Sequence, residues 1–292
     1  MNKFNRYKVN CSEIADLMSR EQGNNPPTEA DYNEFFKILA KDLIYVTDIQ
    51  KKKVQDIIKK AVEYEKYPLS NTTKKNVYKH YAYAQFGVNK VQNGSKIPIQ
   101  LEKGAVCEPS AIKLLSKIDG VEYIKNEKLV KNNFFKGIPD IVLYEGDKII
   151  GVKDIKIPID LISFLERIDG DYLSEDRWEM LGYLDILGIK EGEICYCLVD
   201  MPKEVINQQL KEAKERYILN GYTPQHIKKL IKNLEKSMVY DYIPEEKRVH
   251  RFTVSRQNYF TSQMHKRVKM VREKMWLLHE KFEKGLYLPE KE

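Results

Sequence analysis

Apolar positions in the first third of the chain recur at helical spacing between proline-containing breaks. Ser12 followed by Glu13-Ile-Ala-Asp-Leu-Met18 predicts a short helix with Ser12 as its cap. Asn24-Asn-Pro-Pro27 breaks the chain, and Thr28 opens a second helix through Glu34-Phe35-Phe36 toward Leu43. A third helix is predicted from Lys51 to Tyr64, because Val54, Ile57, Ile58, Ala61 and Val62 fall on one face. Pro68-Leu-Ser70 interrupts again, and a lysine- and tyrosine-rich segment continues to Phe86.

The pattern changes after Pro98. Ala105, Val106, Ile112, Leu114, Leu115 and Ile118 keep helical spacing from Glu102 to Ile118. From Val121 to Pro158 come short β-rich runs, VEYIKNEKLV, PDIVLY and KIIGVKDIKI, the last two joined by a tight turn at Glu145-Gly-Asp147. Arg177 to Leu187 returns to helix, and Ile194-Cys-Tyr-Cys-Leu-Val199 is a buried-type strand closed by Pro202. Lys203 to Lys236 reads as a charged helical hairpin broken at Asn220-Gly221 and Pro224; Val249 to Val254 is one more strand, and Gln257 to Phe282 a long helix. This order predicts an α/β core wrapped in helices, with no internal repeat.

Composition narrows the partners only mildly. The 292 residues carry 50 Lys and Arg against 43 Asp and Glu, a formal +7. A purely architectural DNA coat is more basic, whereas a basic cleft over an acidic metal site fits such a balance. Cys11, Cys107, Cys195 and Cys197 are too few and too scattered for a disulfide framework. Cys195 and Cys197 alternate on one face of a strand, and no further cysteines follow to complete a metal or iron–sulfur set. No signal-peptide core and no membrane-length apolar run is visible, so a soluble protein in a reducing cytoplasm is expected.

The candidate chemistry lies in Gly137-Ile-Pro-Asp140 and Val152-Lys-Asp154-Ile-Lys156. Asp154 follows Asp140 by 14 residues, the length over which two antiparallel strands and a tight turn bring the chain back to its starting end. Asp154 and Lys156 are two apart and share a strand face. Val152, Ile155 and Ile157 are expected to point the other way. Two carboxylates and a lysine thus converge. Carboxylates are hard oxygen ligands that hold Mg²⁺ while leaving it water, and the ion activates that water and clamps a phosphate oxygen. Lys156 either orients or deprotonates the water, or stabilises negative charge. The competing reading is a strand cap at Asp140 and a surface pair of Asp154 with Lys156 on an edge strand. There is no Gly-rich phosphate loop and no Ser/His/Asp grouping, which argues against a small-molecule enzyme.

The PD…DxK hairpin resembles the PD-(D/E)xK nuclease superfamily, and its surroundings look like the lambda exonuclease branch with the YqaJ-type viral recombinases of phages. Tyr7-Lys-Val-Asn-Cys-Ser12-Glu-Ile-Ala-Asp-Leu-Met18 is similar to the family's N-terminal segment. Lys103-Gly104-Ala-Val-Cys-Glu108 resembles the helix that donates an acidic residue upstream of the PD. Trp178-Glu179-Met-Leu-Gly182-Tyr183 falls where the family has a QxxxY helix, and 194–202 is similar to the strand that follows. The resemblance implies a restriction-endonuclease-like core, a short mixed β-sheet flanked by helices, with helical N- and C-terminal additions. Residues 1–100 form the helical N-terminal part, 101–202 the catalytic core, and 203–292 a helical hairpin with a final strand and helix in the same domain.

By position, the resemblance implies that Asp140, Asp154 and the Ile155 carbonyl ligate Mg²⁺ (or Mn²⁺), joined by Glu108 directly or through water. Lys156 serves the nucleophile, with Glu179 and Tyr183 beside it. Glu179 departs from the family glutamine: a carboxylate there pairs with Lys156 or adds a ligand. Arg6, Ser12 and Arg20 lie where a 5′-phosphorylated end is expected. Lys75, with Lys74, Lys79 and His80 among Tyr78, Tyr81 and Tyr83, offers a backbone-and-stacking strip. The implied activity is exonucleolytic hydrolysis of linear double-stranded DNA, 5′ to 3′, leaving single strand for an annealing partner, and relatives form homo-oligomers. The alternatives are an endonuclease or RecB-like nuclease on the same core and a non-catalytic DNA-binding recombination scaffold.

Overall fold

Helical periodicity governs both ends of the chain and strand alternation its middle. The computed structural model describes residues 2–18, 29–41, 45–66, 71–87, 99–170 and 174–284. Strand β1 (Val9–Asn10) precedes helices α1 (Ile14–Met18), α2 (Glu29–Leu39), α3 (Asp48–Lys66), α4 (Asn71–Phe86) and α5 (Ile99–Asp119). Four strands follow, β2 (Val130–Lys131), β3 (Phe135–Gly137), β4 (Ile141–Glu145) and β5 (Lys148–Lys156). After them come α6 (Leu161–Asp169), α7 (Ser174–Leu187), β6 (Glu191–Cys197), α8 (Lys203–Leu219), α9 (Pro224–Lys236), β7 (Val249–Ser255) and α10 (Asn258–Glu283). The α/β class expected from the sequence is present. Asn24 to Pro27, Pro68 to Ser70 and Arg20 lie outside the described residues.

The chain divides into two compact units, one of Met1–Asn5, Ala15–Lys90 and Arg267–Glu292, the other of Arg6–Ile14 and Val91–Lys266. The first is helical. Phe4 packs edge-on against Tyr81 and His279, and Phe86 against Tyr81 and Phe282. The Thr73 hydroxyl donates to the Asp16 carbonyl at 3.0 Å, and a Lys53–Glu34 ion pair ties α3 to α2.

The second unit holds both sheets. The larger runs β4-β5-β6-β7, antiparallel except where β5 lies parallel to β6. The smaller runs β1-β3-β2. Antiparallel pairing of β4 with β5 needs only a two-residue turn, and Gly146 takes the required left-handed φ of 58°. Parallel pairing of β5 with β6 needs a crossover, which α6 and α7 supply. Ile141, Ile155, Cys195 and Cys197 pack in one core with Cys107, Ala111 and Leu115 of α5. The opposite face meets α7. A Cβ on Gly192 would stand 2.7 Å from Val152 Cγ1 and 2.6 Å from Met180 Sδ, so the missing side chain is what admits α7 to the sheet. Among the described residues no helix is long and apolar enough to cross a membrane.

Four expectations are corrected. Ser12 caps nothing: it sits inside a 3-10 turn, Cys11–Glu13, whose cap position belongs to Asn10, which makes no side-chain cap bond and donates from Nδ2 to Glu13 Oε2 at 2.8 Å. Residues 121–129 form no strand. Asn126 Oδ1 turns back to accept from the Lys128 amide at 3.3 Å, which breaks the extended run. Helix α6 is not among the expected elements, although Asp160 and Ser163 make a reciprocal capping box at its start. Val152 does not share a face with Ile155 and Ile157. It sits under α7 beside Gly192, on the Asp154 and Lys156 side, while Ile155 faces α5.

Gly192→Ala is expected to cost about 1–3 kcal/mol of stability through overpacking. A urea-unfolding midpoint that does not move would show that α7 is not held against the sheet as described.

Candidate active site

Strand register brings the two aspartates together. Ile141 pairs with Lys153, so Asp140, one residue before, stands across from Asp154. The Ile155 amide donates to Asp140 Oδ2 at 2.6 Å, which fixes that carboxylate at the mouth of the hairpin. Asp154 is buried, 3% exposed, and Lys156 follows it on the same strand face. The edge-strand surface pair is thereby excluded for Asp154, since β5 lies between β4 and β6.

Helix α7 closes the cluster. Lys156 Nζ lies 2.8 Å from Glu179 Oε2, 2.8 Å from Asp154 Oδ2 and 3.7 Å from Asp176 Oδ1. Lys156 is thus the ion-pair partner of the buried Asp154 Oδ2. Glu179 therefore pairs with the lysine, one of the two outcomes that a carboxylate at that position allows. The Tyr183 hydroxyl, buried one helical turn on, donates to Glu179 Oε1 at 3.0 Å or to the Ile138 carbonyl at 3.3 Å. A Cβ on Gly137 would meet Tyr183 Cε1 at 2.8 Å, so glycine before Ile-Pro-Asp140 makes room for the ring.

Glu108 reaches the cluster from α5, immediately before Pro109 in the same helix. Its Oε2 accepts from Lys125 Nζ at 2.7 Å, while its Oε1 is buried with no partner. Asp176 and Lys125 are not among the residues that the sequence singles out. Asp176 had a signal, since it precedes Glu179 by three residues on one helical face. It accepts from the Tyr196 hydroxyl at 2.5 Å, which links α7 to β6. Lys125 had none: nothing in the sequence places an irregular segment beside Glu108.

Burial sets the electrostatics. It pushes Asp154 well above the usual carboxylate range; Lys156 opposes the shift, and Glu179 and Asp140 add to it. Asp140 is also raised by burial, partly offset by the Ile155 amide, with Glu108 adding to the rise. For Lys156 burial disfavours the charge, but Asp154, Glu179 and Asp176 outweigh it and hold the ammonium well above the ordinary lysine value. Among the described residues no three His, Cys, Asp or Glu side chains stand close enough to hold an ion unaided. The donor set nonetheless fits a hard divalent cation. Glu108 Oε1 is a buried oxygen with no hydrogen-bond partner, and Asp140 and Asp154 face each other across the hairpin with Lys156 as the neighbouring cation, an oxygen set of the kind that a hard divalent ion takes. All four cysteines are buried and free, and burial pushes Cys195 up to about 12, so no thiolate site competes.

The suggested DNA contacts are divided between the two units. Arg6 and Ser12 are exposed in the sheet-containing unit, and the five-residue α1 is too short to hold an anion by its amides. Lys75 is exposed on α4 in the helical unit. Lys74, Lys79, Tyr78 and Tyr83 are exposed with it, but His80 and Tyr81 belong to that unit's core. Arg20 lies outside the described residues.

No protein-family model matches this sequence, and no curated protein does. Solved structures match along the whole chain. A phage-related exonuclease from Haemophilus somnus 129PT aligns with TM-score 0.60 at 17% identity, over 97% of this chain and 99% of that one. The alkaline exonuclease LHK-Exo from Laribacter hongkongensis aligns with TM-score 0.54 at 12% identity, over 97% and 95%. The same enzyme in complex with dAMP aligns with TM-score 0.53 at 12% identity, over 95% and 92%. At these identities the likeness is one of fold.

Because Asp154 titrates above its unfolded value, its ionised form costs stability at neutral pH, and the cost disappears as pH falls through the raised value. Asp154→Asn is therefore expected to raise the unfolding temperature in EDTA by about 2–4 °C. A lower unfolding temperature would mean that the Lys156 pair outweighs the burial.

Proposed function

We propose that this chain is a metal-dependent DNA exonuclease that hydrolyses phosphodiester bonds from the ends of linear double-stranded DNA. What supports the reading is one observation: Asp140, Asp154 and Lys156 converge at the mouth of a hairpin, flanked by Glu108 and Glu179, in a fold that aligns end to end with exonucleases. Strand polarity is proposed as 5′ to 3′, leaving single strand for an annealing partner.

Glu108, Asp140, Asp154 and the Ile155 carbonyl are the proposed holders of Mg²⁺, with Mn²⁺ as a substitute. The bound ion supplies positive charge against the phosphate and lowers the pKa of a water. The chain's own groups then do the rest. Asp140 is pre-set by the Ile155 amide, so little reorganisation is needed at that carboxylate. Glu179, itself steadied by Tyr183, aims the Lys156 ammonium, and Asp176 stands behind it. Lys156 meets the attacking water or the phosphate oxygen; arginine keeps the charge and cannot act as a base, which separates the two roles.

Linear duplex labelled at the 5′ or 3′ end is expected to lose nucleotides in Mg²⁺ or Mn²⁺ and to stay intact in EDTA. Asp154→Ala and Lys156→Ala are each expected to lower the rate by about 100-fold or more. Retained activity in Lys156→Arg assigns charge stabilisation to Lys156. A wild type that binds DNA and never cuts it with any divalent ion overturns the enzyme in favour of a binding scaffold.

A further inference from the structure

Residues 121–129 carry no strand, yet they are pinned to the catalytic hairpin. The Asn126 amide donates to the Asp140 carbonyl at 2.7 Å, and Asn126 Nδ2 donates to the Pro139 carbonyl at 2.9 Å. The residue before it, Lys125, is thus held beside the acidic cluster. Its ammonium lies 2.7 Å from Glu108 Oε2, with the lysine side chain 47% exposed and the glutamate 17%. Glu108 is asymmetric: one oxygen faces Lys125, and the other is buried with no partner. A carboxylate in that position is half neutralised, by a cation on a flexible stem that opens to solvent.

We propose that Lys125 and the divalent cation compete for Glu108, and that the displaced ammonium passes to a phosphate of the DNA strand. This rests on the reading of Glu108 as a metal ligand. Half-exposed lysine–carboxylate pairs are weak, because water and salt screen them and the lysine stem loses rotamer freedom in making them. A divalent ion that also engages Asp140 and Asp154 outbids such a pair. The backbone anchor at Asn126 keeps Lys125 within reach of the hairpin mouth after Glu108 lets go. No charge is lost at the site in the exchange: the cation takes the carboxylate, and the lysine becomes available as the polyanion arrives. Lys125 is a positioning residue for Glu108 in the first arrangement and a phosphate contact in the second. A permanent structural pair would behave differently, since removing its lysine would leave Glu108 misplaced and metal binding weakened.

The test compares wild type with Lys125→Met, and with Lys128→Met as a control on the same segment. Binding of Mn²⁺ is followed by the electron paramagnetic resonance signal of the free ion. Lys125→Met is expected to bind Mn²⁺ about two- to fivefold more tightly, the size of a weak ion pair, and Lys128→Met to match wild type. In Ca²⁺, affinity for duplex DNA is then measured against salt, and Lys125→Met is expected to lower the slope of log K against log salt by about one phosphate contact. Unchanged or weaker Mn²⁺ binding in Lys125→Met overturns the competition, and an unchanged salt slope overturns the transfer to phosphate. If wild type itself binds no Mn²⁺, or Asp140→Ala binds it equally well, the metal reading fails as well as the proposal.

Discussion

Asp154 is ionisable, 3% exposed, and held opposite a second aspartate by the pairing of its own strand. Burying like charges side by side is costly, and the protein carries the cost on an inner strand of its larger sheet. Lys156 limits the damage. It stands among Asp154, Glu179 and Asp176 on a strand flanked by neighbours on both sides. The neighbouring elements of the second unit keep that arrangement aligned.

Each surrounding element contributes one fixed point. Helix α7 brings Glu179, Asp176 and Tyr183 on successive turns, and it reaches the sheet only because Gly192 offers no side chain to Met180 and Val152. Gly137 makes the same allowance for the Tyr183 ring. Helix α5 covers the opposite sheet face with Cys107, Ala111 and Leu115 and presents Glu108 at the end of that contact. Small residues thus stand at the points of closest approach, and charged residues at the point where the elements meet.

The hairpin and the convergence of its side chains are readable because two short-range rules carry them: side chains two apart share a strand face, and a tight turn returns the chain to its start. Those rules alone bring Asp140, Asp154 and Lys156 to one spot. Glu179 and Tyr183 follow from a resemblance in motif order, and Glu179 stands in contact with Lys156 and Tyr183 with Glu179. What escapes the sequence depends on tertiary partners. Counting apolar residues rather than parity puts Val152 on the wrong face. The run 121–129 has strand-like composition but no strand to pair with, and its Asn126 prefers bonds to Lys128 and to Pro139. Lys125 can be linked to Glu108 only once that segment has a path.

The proposed seat for a divalent cation, as against a merely lysine-neutralised acidic cluster, rests on the carboxylates of Glu108, Asp140 and Asp154. Anomalous scattering from crystals grown with Mn²⁺ tests it most directly. The expected result is a peak bounded by the carboxylates of Glu108, Asp140 and Asp154, with Lys125 turned away from Glu108. Peaks found only at surface carboxylates, with the Lys125–Glu108 pair intact, would contradict it.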